Sequence, residues 1–356
     1  MSSFTNHILS WYHKDKKQFP WRQTRDAYKI WVSEIMLQQT QVQTVIPYYN
    51  RWIKKFPTLK HVATATDNEL FKHWEGLGYY QRVKNFRDAC AQVLDDYNGI
   101  IPNTKQELIN LKGIGDYTGS AIASIAFNHP NHVIDGNVKR IMSRLICLPN
   151  FLSKSMNKID KFLSTHISLQ YPGDFNQALM DLGRYICTPK TPKCAMCPIS
   201  KYCHAYLNDK IDKYPVKLNR KKEFPHYNIG VGVIWHNDKI LITKRKKNGL
   251  LGGLWEFPGG KIENGETHQD CINREMKEEL NIIVDISNFI LKINHKYSHF
   301  GITLHAYTCY YKSGEIKCNA ADDFKWIHPN NIEDYPFPKA NHHIFPHIMN
   351  SKLISC

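Results

Sequence analysis

The chain has 356 residues, of which 42% are hydrophobic and 22% charged, which excludes an intrinsically disordered polymer and leaves room for two or three domains. Forty-seven lysines and arginines against 32 acids give a net charge of +15, a balance that favours a polyanionic partner. Residues 1–20 hold no apolar signal core and no apolar run is long enough to span a bilayer, so a reducing cytoplasm is expected. In that setting Cys90, Cys147, Cys271, Cys309, Cys318 and Cys356 are expected to be free thiols.

In chain order, residues 1–204 read as helical. Apolar residues recur at helical spacing and the segments break at Pro20, Pro47, Pro57, Gly76, Gly113, Gly136 and Pro172. Thr104 and Glu107 form a capping pattern ahead of Leu108. The run Leu111 to Gly119 then joins two helical stretches. Gly113 and Gly115 allow a tight turn and a close ligand, and the next helix, starting near Asp116, aims its free N–H groups outward, where they can take a phosphate. Near the end of the helical part come Cys187, Cys194, Cys197 and Cys203, spaced C-x6-C-x2-C-x5-C. Four thiols this close read as one metal or cluster site, and the uneven spacing differs from a zinc ribbon. Residues 205–226 are a basic linker with Lys210, Lys213, Lys217, Arg220, Lys221 and Lys222. From Tyr227 the pattern alternates: a hairpin turns at His236-Asn237-Asp238, a helix covers about 267–280, strands run near 291–311, and a short helix ends the chain. Residues 227–356 are therefore expected to be an α+β domain.

The cysteine loop resembles the 4Fe-4S loop of the endonuclease III and MutY family of DNA glycosylases. The turn at Gly113 and Gly115 resembles that family's helix-hairpin-helix, placed at 108–127, and Asp135 in Val133–Arg140 falls at the family's catalytic aspartate, twenty residues past Gly115. Where the bifunctional branch has a lysine nucleophile this chain has Tyr117, which implies base removal without strand cleavage. Trp31–Val42, with Ile46–Tyr49 and Trp74–Tyr80, closely resembles the segments around the catalytic glutamate of MutY-type adenine glycosylases. The resemblance implies Glu34 as the acid that protonates adenine and Asp135 as the group that stabilises the sugar cation, two carboxylates in two environments. Glu34 sits among Trp31, Ile35, Met36 and Leu37, and burial there would raise its pKa. By the same resemblance Tyr117 and Asn137 would position water or sugar. Trp21, Arg22 and Asp181 would line the adenine pocket, and Gln39, Leu77 and Tyr79 would fill the stack during base extrusion. Cys187, Cys194, Cys197 and Cys203 would hold the cluster, and Lys190, Lys193, Lys201 and Arg184 would face the DNA backbone.

The second domain resembles a Nudix (MutT-like) fold. Tyr297-Ser298-His299 matches the loop that recognises 8-oxoguanine, with Ser298 as a hydrogen-bonding candidate and His299 beside it. Gly260, Glu266, Arg274, Glu275, Met276, Glu278 and Glu279 fit the Nudix box except for its last glycine, which is Asn281, the residue that best replaces glycine at positive φ. Glu275, Glu278 and Glu279 on one helix side suit a Mg2+ ion bridging a diphosphate. The combined expectation is a multidomain protein: an all-α helix-hairpin-helix glycosylase with a 4Fe-4S loop, plus an α+β Nudix-like domain. It would be a monomer, associated with the bacterial nucleoid, acting on double-stranded DNA with A:8-oxoG or A:G mismatches. The alternatives are an added 8-oxo-dGTP pyrophosphohydrolase activity, a thymine-directed glycosylase, and a DNA-binding protein without catalysis.

Overall fold

The computed structural model describes residues 2–216, 224–297 and 299–350. Contact density divides the chain into two units, Met1–Thr64 with Lys84–Arg220 and Ala65–Val83 with Lys221–Cys356. The helices, in chain order, are α1 (Ser3–Lys14), α2 (Ala27–Leu37), α3 (Val42–Lys55), α4 (Leu59–Ala63), α5 (Asp67–Trp74), α6 (Gln81–Asp96), α7 (Lys105–Leu108), α8 (Asp116–Ile125), α9 (Gly136–Leu145), α10 (Ser153–His166), α11 (Pro172–Asp181), α12 (His204–Leu207), α13 (His268–Leu280) and α14 (Phe345–Asn350). The strands are β1 (His226–His236), β2 (Lys239–Arg245), β3 (Trp255–Glu256), β4 (Gly259–Lys261), β5 (Ile283–Lys296), β6 (Gly301–Ser313) and β7 (Ala321–Ile327).

The first unit is helical. One of its cores joins α1, α9, α10 and α11 through Ile8, Tyr12, Ile141, Met142, Ile159, Leu163, Phe175 and Leu179, all buried. Capping follows local chemistry. Thr104 accepts from Glu107 N at 3.3 Å and donates to its carboxylate at 2.6 Å, and Asp135 caps α9 by accepting from Val138 N. Pro172 opens α11, where its missing N–H costs nothing. Pro47 does not break the chain as its type suggests. It lies inside α3, where it removes one hydrogen bond close to the helix start and the remaining turns carry on.

The second unit is a mixed sheet in the order β3-β2-β1-β6-β5, with β4 paired to β1 and β7 to β2. The expected hairpin forms with Trp235 opposite Ile240 and His236 opposite Lys239, and Asn237 takes the positive φ of 55° that the two-residue turn requires. β1 runs parallel to β6, and β5 is antiparallel to β6. Helix α13 packs Ile272, Met276 and Leu280 onto Ile234, Leu241 and Cys309. Thr267 closes a full capping box with Asp270, and Asn281 ends the helix in the left-handed region at φ 57°, ψ 34°.

The single sequence boundary expected at 205–226 does not describe the structural units, since residues 65–83 belong to the second. Residues 65–83 group with the sheet because Glu75 accepts from Phe337 N at 2.8 Å and is paired with His342 Nε2 at 2.9 Å, while Asn68 donates to Asp334 O at 3.3 Å. Burial pushes the Glu75 carboxyl up, but the bonds from His342, Phe337 N and Lys72 outweigh it and hold the group below the usual range. The linker residues 217–223 lie outside the described residues.

The left-handed end of α13 yields a direct check. Asn281→Ala is expected to cost about 1 kcal/mol in urea unfolding, while Asn281→Gly stays within about 0.5 kcal/mol of the parent. Equal losses for both would show that the Asn281–Glu315 hydrogen bond, and not backbone conformation, matters there.

Candidate active site

Glu34 lies on α2, the most apolar turn of which, Trp31-Val32-Ser33-Glu34-Ile35-Met36, is buried throughout. The same burial that the helix needs for packing takes the carboxyl out of water. It pushes Glu34 up to about 7; the nearby Tyr117 hydroxyl and the charges of Arg22 and Arg184 moderate the rise, and the Asp135 charge adds to it. Glu34 Oε2 is buried without a hydrogen-bond partner, a costly state in a finished core and a useful one in a site that awaits a ligand. Glu34 forms part of the wall of a small cleft, together with Trp21, Arg22, Ser33, Gln177, Met180 and Arg184 among others.

The floor of this cleft is fixed by one buried ion pair. Arg22 donates two hydrogen bonds to Asp181, at 2.7 and 2.9 Å, and both side chains are nearly inaccessible. The guanidinium also lies 4.7 Å above the Phe19 ring. Planar pairing of this kind is strong and directional, so Arg22 cannot swing without leaving a buried charge behind. Asp181 holds Arg22 at the base of the cleft. Trp21 packs edge-on against Tyr49 at 5.3 Å.

Tyr117, one residue into α8, donates to Met180 Sδ at 3.3 Å, and burial pushes its hydroxyl well above the ordinary range, assisted by the charges of Glu34 and Asp135. Asp135 is oriented by two donors, Val138 N at 2.7 Å and Asn137 Nδ2 at 2.9 Å. Its charge reaches both Glu34 and Tyr117, so the structure brings Glu34 on α2 together with Tyr117 on α8 and the Asp135–Asn137 pair at the start of α9. Gln39 follows α2 at φ 58°, and its neighbour Gln38 donates to Thr118 on α8. Gly113 has φ 78°, and a Cβ there would stand 2.7 Å from Asn85 Cβ, so glycine is required. Gly115 is different: its φ of −93° suits any residue and the space beside it is open, which leaves room at the start of α8.

The other expected contacts belong to the second unit. Leu77 is buried there, and Tyr79, at φ 48°, meets the His299 ring edge-on at 6.2 Å. Ser298 lies outside the described residues.

Cys187, Cys194, Cys197 and Cys203 are free thiols that line one apolar cavity with Ile141, Leu145, Leu182 and Ile199. Among the described residues no three His, Cys, Asp or Glu side chains stand close enough to hold a single metal ion. Four soft thiolates around an apolar chamber suit a larger iron–sulfur group, whose several metal atoms space their ligands apart. Burial pushes the Cys197 thiol up to about 12, so ligation would displace its proton. Sequence reading missed the arginines that brace this loop. Arg144 donates to Cys187 Sγ at 3.2 Å and Thr188 O at 2.8 Å. Arg140 donates to Cys187 O at 2.9 Å, Gly183 O at 2.7 Å and Asn137 Oδ1 at 2.8 Å. Their helical spacing from Asn137, three and seven residues on, was the available signal.

In the second unit Arg274 bonds Glu266, Glu275 and Glu278. Burial pushes Glu279 up to about 7, assisted by the charges of Glu275 and Glu256. The negative charge suits a divalent cation, but no three described acids stand close enough to hold one. The side chains present therefore do not assemble the expected Mg2+ site.

Residues 32–164 match the HhH-GPD superfamily of base excision DNA repair proteins, and residues 230–347 match the NUDIX domain family. A relative from Buchnera aphidicola subsp. Baizongia pistaciae, named adenine DNA glycosylase, is 36% identical over 83% of each chain. A mouse protein of the same name is 32% identical over 86% of this chain and 70% of its own. Among solved structures, a thermostable thymine-DNA glycosylase shares the fold over 58% of this chain and 95% of its own, with a TM-score of 0.52 and 29% identity. No described helix is long and apolar enough to cross a membrane. On these similarities the chain belongs to the adenine DNA glycosylase family, with a helix-hairpin-helix repair domain and a C-terminal Nudix domain.

Proposed function

We propose that this protein excises adenine paired with 8-oxoguanine or guanine in duplex DNA and leaves the sugar–phosphate chain unbroken. The observation that carries the reading is a buried carboxyl with a free oxygen, Glu34, in a cleft beside a second carboxyl, Asp135. A pKa near 7 lets Glu34 hold a proton at working pH and release it to purine N7 as the base enters. The C1′–N9 bond then breaks with its electron pair passing to the purine. The sugar becomes cationic, and the oriented Asp135 carboxylate faces that charge. Water adds to C1′, and the proton it loses restores Glu34. Tyr117 offers no amine, so no Schiff base forms and no strand cleavage follows.

Cys187, Cys194, Cys197 and Cys203 would hold a 4Fe-4S cluster, which supplies order to the loop. Arg144 and Arg140 tie the same loop to α9. For the second unit we propose recognition of the damaged guanine through Ser298 and His299. Hydrolysis of 8-oxo-dGTP is the weaker reading, since the acids of α13 do not converge on one cation.

Four outcomes check these assignments. Glu34→Gln is expected to bind an A:8-oxoG duplex and leave the adenine in place; excision at the parent rate would remove Glu34 from its role. Because the folded-state pKa is raised from 4.5 to about 7, the protonated form that stabilises the fold is lost as pH rises through 7. The same substitution should thus raise the melting midpoint clearly at pH 8, by a contribution of about 3 kcal/mol, and far less at pH 5. Single-turnover excision should be flat below about pH 7 and fall about tenfold per unit above it; a profile independent of pH across 6–9 argues against a protonated Glu34. Incubating the protein with 8-oxo-dGTP and Mg2+ should release no more phosphate than Glu278→Gln does.

A further inference from the structure

Among the described residues that line the base cleft, two are cations. Arg22 is fully engaged by Asp181. Arg184 is exposed and makes no hydrogen bond or ion pair with any described residue; its recorded contact is the Tyr185 ring, 6.0 Å away. It stands at the rim of the cleft, whereas Arg22 forms the floor.

The backbone that carries Arg184 is unusually well fixed. Leu182–Ile186 is a π-helical turn continuing α11, closed by Cys187 N on Leu182 O at 2.7 Å. Such widened turns interrupt a helix at some cost and occur often where a side chain must be re-aimed. Arg140 bonds Gly183 O from the other side. Gly183 sits directly against Asn137: an added Cβ would lie 2.5 Å from Asn137 Cβ. Residue 184 is thereby set beside the Asp135–Asn137 end of α9 and the mouth of the cleft. Its charge acts on Glu34 and Tyr117 without bonding to either.

A guanidinium held at a rim without an anion is completed by one that arrives with the substrate. When a nucleotide leaves the duplex, its base enters the cleft and its sugar–phosphate stays at the mouth. Arginine is the side chain whose fork matches a phosphate. We propose that Arg184 binds the phosphate adjoining the extruded deoxyadenosine and so positions that nucleotide in the cleft. This rests on the excision reading above and adds to it a single, located DNA contact.

The test uses the full-length protein in the Glu34→Gln background, with a fluorescein-labelled A:8-oxoG duplex and a second duplex carrying a neutral methylphosphonate beside the adenine. Arg184→Ala should weaken binding about 5- to 20-fold and lower the slope of log K against log salt by about one. Arg184→Lys should restore the slope and only part of the affinity. The methylphosphonate on either side of the adenine should reproduce the loss at one position with Arg184 present, and cause no further loss with Arg184→Ala. An unchanged salt slope, or losses that simply multiply at both positions, overturns the proposal. So does unchanged binding with a shifted pH midpoint of excision, measured for Arg184→Ala with Glu34 restored, which would assign Arg184 to Glu34 and not to DNA. If the parent protein leaves adenine in place while the phosphate coupling holds, the excision reading fails alone; if it excises and the coupling is absent, this inference fails alone.

Discussion

A carboxyl group withdrawn from water is the constraint on which the rest of the active site depends. Burial raises the Glu34 carboxyl to about 7, and burial without full hydrogen bonding is a standing loss to the fold. The surrounding structure offsets that loss with groups that are well satisfied. Arg22 and Asp181 neutralise each other in planar contact, and Trp21, Tyr49 and Phe19 close the adjoining space. The cleft is thus braced by a satisfied ion pair at Arg22 and left unsatisfied at Glu34 Oε2.

Asp135 solves a different problem. It needs orientation more than burial, and it obtains this from its place as the cap of α9, where Val138 N and Asn137 both point at it. Asn137 is held by Arg140, and Arg140 reaches the backbone at Gly183 and Cys187. The aspartate and the cysteine loop are therefore consecutive links of one hydrogen-bonded chain. Disorder in the loop would loosen the donor that aims the aspartate.

Much of this was legible in the sequence, for reasons that differ from element to element. The turn at Gly113 and the start of α8 could be read because glycine and helix ends have steric rules of their own. Asn281 could be read as a helix end because few residues tolerate that backbone. Glu34 was singled out by the resemblance of its flanking segment, and its apolar neighbours made only its burial legible. Asp181 was expected near the pocket, but its pairing with Arg22 was not legible, since a buried guanidinium attracts the nearest carboxylate whatever its sequence distance. Pro47 was misread as a break because residue type ignores position within a helix. Arg184 was read only as one of several backbone-facing cations. Its special place comes from a π-turn, and a five-residue hydrogen bond leaves no trace in apolar periodicity.

The second unit is assembled from two stretches of chain, one of which interrupts the first unit. Glu75 finds its donors at Phe337 N and His342, more than 250 positions downstream. A protease that cuts the basic connector between 217 and 223 will consequently not liberate an intact C-terminal fragment. The severed half remains bound to a piece of the other, and a gene truncated at that connector encodes a protein whose residues 65–83 have lost the surface they were folded upon.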